Sequence, residues 1–319
     1  MSNRQDQGGR RLDDAARAGW LYYVAGNNQE EIAKKLNVSR QTAQRLVSLS
    51  VSEGLIKVRL DHPIGRCMEL AEKLRQRFAL DHVEVVPSDP ESTSTIVGIA
   101  QAAAAEIERR LRAPAPITMA IGTGRTLKAA VDQLPQIDCP QHQLVSLTGN
   151  IASDGSAWFY NVIFSMTETV KAKIFPMPLP VIASSREERE MLHQQPVIRQ
   201  TLQIAAEADI TFVGIGDLGP NAPLYVDGFI TEAELKALQK AGAVAEIVGW
   251  AFDAQGKLIE GLTNDRVASA PLPSRERSLV VALAMGEKKM PGIIAAINRR
   301  LVNGLITDER TAAKLLASK

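Results

Sequence analysis

Apolar residues recur at helical spacing in two short segments near the start of the chain. They fall at Ile32, Ala33 and Leu36 in the first segment and at Ala43, Leu46 and Val47 in the second. This spacing predicts the buried faces of two successive amphipathic helices. Asn28, three residues before Glu31, matches a capping box at the start of the first helix, and Ser39 can cap the second. The short connection at 37–39 makes the pair a candidate helix-turn-helix.

The outward face of the second predicted helix is polar and basic. The residues predicted to contact double-stranded DNA from this helix and its cap are Ser39, Arg40, Gln41, Thr42, Gln44 and Arg45. Arginine pairs with guanine and glutamine with adenine in the major groove, and both can reach phosphates. The alternative is an ordinary pair of surface helices with a solvated face. The short connection and the small Ala33 and Ala43 at the expected helix crossing favour DNA binding, and the alternation at 55–60 predicts a following strand or wing.

From Val83 onward, predicted strands and helices alternate. Short apolar runs predict strands at 83–86, 117–121, 144–147, 173–175, 210–213, 246–252 and 279–284. Helical periodicity predicts helices at 67–78, 96–111, 127–134, 157–169, 186–206 with an interruption at Pro196, 231–241, 293–302 and 309–316. Repeated strand–helix units imply an α/β fold with a mostly parallel sheet between layers of helices. The His62–Pro63 step separates a predicted helix-turn-helix domain at 1–60 from a larger domain at 61–319.

A candidate ligand site follows the predicted strand at 117–121. The chain continues there through Gly122, Thr123, Gly124, Arg125 and Thr126. Backbone N–H groups in a glycine turn that opens a helix bind anions, and the threonines and the arginine add donors. Leu127 replaces the third glycine of a dinucleotide fingerprint and no G-K-[ST] sequence follows, so the simplest interpretation is a single phosphate on a small molecule. On spacing alone, a glycine turn required only for packing is an equal alternative.

Other predicted loops lie at the same edge of the sheet, because open parallel sheets bind ligands at the carboxyl ends of their strands. Their candidate residues are Gly149, Gly216, Asp217 and Lys289. Asp217 can accept hydrogen bonds from hydroxyls, or it can simply hold a turn. Lys289 can neutralise a phosphate, or it can be a solvated charge. No Ser-His-Asp or Cys-His arrangement stands out in the sequence, so no catalytic residue is predicted.

Composition narrows the class of protein. The chain has 319 residues, enough for two domains, and 45% of them are hydrophobic. The formal net charge is +1, but residues 1–60 are basic and the rest is close to neutral or acidic, which is typical of a protein with one part facing nucleic acid. The sequence lacks an apolar run of about 18 residues and an apolar signal core, so we expect a cytoplasmic protein with no membrane partner. Two cysteines are too few for a zinc cluster, and no metal or cofactor is predicted.

Taken together, these motifs resemble the SorC family of sugar-responsive bacterial transcriptional regulators. The resemblance covers nearly the whole chain and is carried by 29–36, 39–46, 121–126, 213–216, 252–253 and 286–289. It implies an N-terminal DNA-binding domain, an effector domain similar to sugar-phosphate isomerases, and oligomers, often tetramers, on operator DNA. It also implies a phosphate loop at Gly122–Thr126, with Asp253 and Lys289 as further effector residues. Family members often have two glycines before the late lysine, and here the first of them is Met285.

The resulting hypothesis is a homo-oligomeric regulator, a dimer or a tetramer, of sugar or polyol catabolic genes. Its partners would be operator DNA and a small molecule, and the sequence leaves the latter open between a sugar, a polyol and a sugar phosphate. The main alternative is an isomerase-like enzyme with an accessory DNA-binding module. A constitutive nucleic-acid binder is a third possibility, which the loop at Gly122–Thr126 disfavours.

Overall fold

The computed structural model describes residues 2–56, 64–88, 96–151 and 161–318. The chain forms two compact units, Met1–His62 and Pro63–Lys319. Among the described residues, no helix has both the length and the apolarity needed to cross a lipid bilayer. The strand or wing predicted at 55–60 lies mostly outside the described residues.

The described residues of the N-terminal unit form three helices around a small apolar core. These are α1 (Ser2–Tyr23), α2 (Gln29–Leu36) and α3 (Arg40–Ser52). The core contains Ala15, Ala18, Ile32, Ala33, Ala43, Leu46 and Val47. Both predicted helices of the helix-turn-helix are therefore confirmed, with their apolar faces turned inward. The sequence pattern does not predict α1, because its buried residues Ala15 and Ala18 are small while the larger Trp20 is 54% exposed.

The predicted caps of α2 and α3 are also confirmed. The Asn28 side chain accepts hydrogen bonds from the backbone N–H groups of Glu30 and Glu31, each at 3.0 Å, and the Asn28 N–H donates to the Glu31 carboxylate at 2.8 Å. Ser39 Oγ accepts from the Thr42 N–H at 3.1 Å. A cap of this kind contributes about 1 kcal/mol to helix stability. The caps fix where α3 begins and therefore which of its residues point outward.

The C-terminal unit is built on a seven-stranded parallel sheet. The strands within the described part of this unit are β1 (His82–Val86), β2 (Thr118–Ile121), β3 (Ile137–Ser146), β4 (Val170–Phe175), β5 (Ile210–Gly214), β6 (Gly216–Asp217), β7 (Ala243–Ile247), β8 (Trp250–Asp253), β9 (Leu279–Leu283) and β10 (Gly304–Asp308). The order in the large sheet is β1-β10-β9-β5-β2-β3-β4, and β6, β7 and β8 form a small antiparallel sheet. The predicted α/β fold with a mostly parallel sheet is confirmed.

Helices cover both faces of the large sheet. The helices described in this unit are α4 (Gly65–Phe78), α5 (Ile96–Leu111), α6 (Arg125–Val131), α7 (Val162–Thr169), α8 (Arg186–Gln194), α9 (Pro196–Ala206), α10 (Pro223–Val226), α11 (Glu232–Lys240), α12 (Met290–Asn298) and α13 (Glu309–Ala317). Alternate residues of the central strand β9 enter two different cores, Val280 and Ala282 on one side, and Val281 and Leu283 on the other. Burial on both faces explains why the sequence of β9 is apolar throughout.

The single strand predicted at 246–252 is wrong. The segment is a hairpin in which Val248 and Gly249 join β7 to β8. Their φ angles are 48° and 93°, and a two-residue type I′ turn requires positive φ at both positions. Valine favours strands, so the apolar pattern conceals the turn. Strands β6 and β10 are not predicted by the sequence pattern, and residues 157–160 of the helix predicted at 157–169 lie outside the described residues.

The strand order creates a topological switch beside β2. Strands β3 and β4 follow on one side of β2, whereas β5, β9 and β10 lie on the other. At such a point the loops after two neighbouring strands diverge and leave a crevice at the carboxyl end of the sheet. The crevice in this protein lies between the loops that follow β2 and β5.

Candidate functional site

A cleft of about 910 Å³, a volume that includes solvent at its mouth, lies at this crevice. Its polar lining includes Thr123, Arg125, Thr126, Thr148, Asp227, Glu246 and Lys289. Its apolar walls include Leu127, Val181, Ile215, Leu224, Phe229 and Val248. Apolar walls with a few convergent polar groups are typical of a small-molecule site. The cleft is therefore the candidate effector site.

The glycine loop after β2 forms one wall of the cleft. Gly122 is buried, its N–H donates to the Phe212 carbonyl at 2.8 Å, and a Cβ there would lie 3.0 Å from Val248 Cγ1. Gly124 has a φ of 128°, which favours glycine. These constraints hold the loop close to β5, while Gly124 and Thr126 line the cleft.

An ion pair between Arg125 and Asp227 lies in the cleft lining. Arg125 Nη2 donates to Asp227 Oδ1 at 2.8 Å, and the aspartate side chain is only 12% exposed. An ion pair with a largely buried partner is screened less than a pair of exposed charges. The aspartate therefore compensates much of the arginine charge in the cleft.

Glu246 is a carboxylate that the small sheet places in the cleft. The register of β6 and β7 pairs it with Gly216, and a Cβ on Gly216 would lie 2.0 Å from Glu246 Oε1. The carboxylate thus occupies the space that a side chain at position 216 would need. Glu246 Oε2 accepts a hydrogen bond from the Gly249 N–H at 2.7 Å. Burial raises the pKa of Glu246, although that hydrogen bond and the charge of Lys289 act in the opposite direction.

Lys289 supplies the second cation of the cleft. Burial lowers the pKa of its ammonium group, while the negative charges of Glu246 and Asp217 act to raise it and Arg125 acts to lower it. The charges of Glu246 and Lys289 thus stabilise each other in a poorly solvated place. A lysine and a carboxylate perturbed in this way inside a cleft are candidates for a functional role.

Thr148 contributes a hydroxyl group to the same cleft. The residue is 2% exposed, and its Oγ1 has no hydrogen-bond partner among the described residues. Its backbone carbonyl accepts from Ser146 Oγ at 2.8 Å, which fixes the loop after β3. Because buried hydroxyls in proteins are normally hydrogen-bonded, a polar group of a ligand would be stabilised at this point.

The structure brings most of the predicted effector residues together. Those that line the cleft are Thr123, Gly124, Arg125, Thr126, Gly216 and Lys289. Gly122 does not line the cleft, and its backbone packs closely against Val248. The glycine turn therefore has both of the roles considered from the sequence, since one glycine is required for packing while its neighbours line a cleft.

The other predicted effector residues lie outside the cleft lining. Asp217 Oδ1 accepts a hydrogen bond from the Gly219 N–H at 3.1 Å, so the side chain stabilises a turn. Its negative charge acts on Lys289, which lines the cleft. Gly149 allows two chain segments to approach closely, since a Cβ there would lie 2.3 Å from the Leu179 carbonyl oxygen. Asp253 Oδ1 accepts two backbone N–H groups of the following turn, each at 2.9 Å. These contacts describe structural roles for Gly149 and Asp253.

Three polar residues of the cleft are not predicted from the sequence. Thr148 directly follows the predicted strand at 144–147, so its position at a strand end was the available signal. Glu246 interrupts an otherwise apolar strand, and a charged residue in such a run is a second signal. Asp227 carries no comparable signal, because its position depends on how the segment after α10 folds over the glycine loop.

The second candidate surface is the outward face of α3. Arg40, Gln41, Gln44 and Arg45 are all exposed, as the helical pattern predicts. Ser39 and Thr42 are exposed as well, and the two hydroxyl groups lie 2.8 Å apart at the start of the helix. Arg40 Nη1 lies 3.5 Å from Glu30 Oε1, and both side chains are about two-thirds exposed. Such an exposed pair contributes little to stability, so Arg40 can exchange it for a phosphate or a base.

Comparisons with known proteins extend over nearly the whole chain. A family model described as "Putative sugar-binding domain" matches residues 62–317. The erythritol catabolism regulatory protein EryD of Brucella abortus is 32% identical over 302 residues, which cover 95% of this chain and 96% of EryD. The chain belongs to the SorC family of sugar-binding transcriptional regulators. The transcriptional regulator LsrR of Escherichia coli K12, another relative, is 30% identical and covers 98% of this chain and 97% of its own.

Solved structures agree with this membership at the level of the fold. The full-length sorbitol operon regulator SorC from Klebsiella pneumoniae has a TM-score of 0.69 and 22% identity, with 96% of this chain and 99% of that chain covered. The resemblance drawn from the sequence motifs is therefore confirmed. This SorC-family protein is a transcriptional regulator with a sugar-binding domain, and its helix-turn-helix and its cleft lie in separate units.

Proposed function

We propose that the protein binds operator DNA through α3 and controls sugar or polyol catabolic genes in response to a small molecule held in the cleft. The observation that carries the proposal is the convergence of polar groups from separate segments on the switch point beside β2. Thr126, Thr148 and Glu246 come from three such segments and line one cleft. The name of the Brucella relative, an erythritol catabolism regulator, supports a sugar or polyol as the effector class.

The DNA-binding part of the proposal rests on the geometry of α3. Its cap at Ser39 fixes the start of the helix, and the exposed Arg40, Gln41, Gln44 and Arg45 follow directly. Side chains at the start of a recognition helix contact base edges in the major groove. We therefore assign base contacts to Gln41 and Gln44, and phosphate or base contacts to the arginines.

The proposed assembly is a homo-oligomer, a dimer or a tetramer, in the cytoplasm. One helix-turn-helix reads few base pairs, so regulators of this type pair two of them on half-sites separated by whole turns of DNA. We expect a roughly palindromic operator for the same reason. Sedimentation of the full chain with and without operator DNA tests this part, and a monomer under both conditions would contradict it.

The experiment that tests the proposal is a titration of promoter DNA with and without candidate effectors. The candidates are sugars, polyols and their phosphate esters, chosen first by thermal shift. An effector of the cleft should change operator affinity in the wild-type protein, since a ligand shifts an equilibrium only by its difference in affinity for the two states. Gly124→Val should abolish this response and retain operator binding. A response that survives in Gly124→Val would place the effector elsewhere.

We propose in addition that the protein is not an enzyme. The perturbed pair of Glu246 and Lys289 is the feature of the cleft that favours the alternative of an isomerase-like activity, because such pairs can act as acid and base. Every compound that binds should therefore also be followed for turnover by nuclear magnetic resonance. Conversion of a bound sugar phosphate that is lost in Glu246→Gln would establish the enzyme alternative.

A further inference from the structure

The short turn that carries the cleft residue Lys289 is joined to α13 by two contacts. The Gly286 N–H donates to Thr311 Oγ1 at 2.9 Å, and Lys314 Nζ lies 2.9 Å from Glu287 Oε1. Thr311 is 2% exposed, whereas the side chains of Glu287 and Lys314 are 83% and 51% exposed. Because an exposed ion pair contributes little to stability, the buried hydrogen bond of Thr311 is the contact that fixes the turn against α13.

The first turn of α13 is also tied to the start of α4. Asp308, which is 4% exposed, caps α13 by accepting from the Thr311 N–H at 3.1 Å, and it accepts from Ser88 Oγ at 2.6 Å. Glu309 accepts from the Ser88 N–H at 3.1 Å and lies 3.6 Å from Nε of Arg66, in the first turn of α4. One turn of α13 therefore contacts both the cleft turn and the start of α4.

Helices α13 and α4 are joined at their other ends as well. Arg77, in the last turn of α4, donates to the backbone carbonyls of Leu316 and Ser318 at the end of α13. Leu74 of α4 and Leu315 of α13 are fully buried in the same apolar core. Packed protein interiors are nearly incompressible and transmit strain, so a displacement of α13 displaces α4 with it.

Helix α4 is the first described helix of the C-terminal unit. It begins at Gly65, just after the boundary between the two compact units at His62 and Pro63. Among the described elements it packs chiefly against β1 and α13, and no described residue of β1 lines the cleft. Helix α13 is therefore the neighbour of α4 that is hydrogen-bonded directly to a turn of the cleft.

We propose that Thr311 is a positioning residue for the effector response, which couples the cleft turn to α4 and hence to the chain that leads to the DNA-binding unit. Coupling between distant sites is carried by packed side chains and hydrogen bonds that both sites bias. A ligand that changes the position of the cleft turn changes the positions of α13 and α4 through this contact. The inference rests on the proposed function and adds the route by which a ligand alters operator affinity, whether or not that ligand carries a phosphate.

The test compares operator affinity with and without a saturating probe, using the full-length protein. The probes are erythritol, D-glucitol and D-ribose 5-phosphate, and the one that changes wild-type affinity most is used throughout. The variants are Thr311→Val, which removes the hydroxyl group and keeps the shape, and Thr311→Ser, which keeps the hydroxyl group. The matched control is Thr201→Val on α9, because Thr201 is also buried, at 4% exposure, and its hydroxyl donates to the Val197 carbonyl of its own helix at 3.1 Å.

Thr311→Val should move the ratio of the two operator dissociation constants toward unity by about twofold or more, the effect expected of a residue that carries coupling. Its affinity for the probe, measured by calorimetry without DNA, should stay close to that of the wild type, because Thr311 does not line the cleft. Thr311→Ser and Thr201→Val should keep the wild-type ratio. In hydrogen exchange, the probe should alter the protection of α4 in the wild type and leave it unaltered in Thr311→Val.

Two results would overturn the inference. One is a wild-type ratio in folded Thr311→Val, and the other is an equal loss of the ratio in Thr201→Val, which would show that any buried threonine has this effect. If Thr311→Val does not fold, Arg77→Met decides, because it breaks the link at the far end of α13 and should also move the ratio toward unity; an unchanged ratio there overturns the inference. The proposed function stands in these cases as long as the wild type responds and Gly124→Val does not. A wild type that responds to no probe removes both.

Discussion

Replacing Gly216 by alanine should move the Glu246 carboxylate without touching the ligand directly. The added Cβ would lie 2.0 Å from Glu246 Oε1 and 2.9 Å from its Cδ. Both atoms belong to the end of a flexible side chain, so the backbone of β6 can stay in place while the carboxylate turns away. Its hydrogen bond from the Gly249 N–H, 2.7 Å long, would be strained or lost with it. We therefore expect a folded protein with an altered cleft.

The size of the effect follows from the contact that is lost. A hydrogen bond to a charged group contributes about 1.5–3 kcal/mol. If the turned carboxylate no longer reaches a ligand hydroxyl, the dissociation constant should rise roughly tenfold to 150-fold. The alanine Cβ itself adds one methyl group to the wall of the cleft, which Gly216 lines, and its steric effect on a ligand is the second contribution.

A double-mutant cycle measured by calorimetry separates the two contributions. In a Glu246→Ala background the atoms that Gly216→Ala would meet are gone, so the alanine at position 216 should cost almost nothing further. Non-additivity of this kind is expected for residues in direct contact. Equal losses of affinity from Gly216→Ala in both backgrounds would refute the reasoning, because they would show that the methyl group acts on the ligand by itself.

Three further predictions concern stability, DNA and the glycine loop. Burial raises the pKa of Glu246 above that of an exposed glutamate, so the contribution of this group to the stability of the folded state falls as the pH rises from the exposed to the buried pKa. The free energy of unfolding of the wild type in urea should therefore fall relative to that of Glu246→Gln as the pH is raised above about 4, and a difference between the two proteins that is independent of pH would contradict this. Gln44→Ala should weaken operator binding by about 1–3 kcal/mol, more than binding to random DNA, whereas Arg17→Ala on α1 should preserve the ratio between the two in gel-shift titrations. Gly124→Val should strain a residue with φ of 128° and abolish the thermal shift given by an effector, and an unchanged shift would show that the loop only packs.

Local signals account for the parts of the fold that the sequence predicts well. The capping box at Asn28 and Glu31 depends on residues three positions apart, and the structure shows both of its hydrogen bonds. Helix α5 covers Ile96–Leu111, the range that its periodicity predicts. The apolar run of β9 is buried on both faces and has no competing interpretation as an exposed segment. In each case neighbours along the chain carry the information.

Longer-range contacts account for what the sequence does not predict. Helix α1 buries Ala15 and Ala18, small residues whose contribution depends on partners distant in sequence. The hairpin of β7 and β8 turns at Val248, which adopts a φ of 48° that its residue type disfavours. The role of Glu246 depends on the pairing of β7 with β6, some thirty residues earlier in the chain. No local pattern reports such a pairing.

The cleft joins two substructures of the C-terminal unit, and this arrangement bears on how a ligand could act. Thr126 lies in the first turn of α6, after β2 of the large sheet, whereas Glu246 belongs to β7 of the small sheet. Ala243 and Ala251 of the small sheet pack in a separate apolar cluster, while Ala245 and Phe252 pack in the core of the large sheet. A ligand that contacts both side chains holds the two substructures at one separation. States with another separation bind it less well, and a difference in affinity between states is what an effector requires. We therefore expect Glu246→Gln to reduce the change in operator affinity at saturating ligand, and not merely to shift the ligand concentration at which that change occurs.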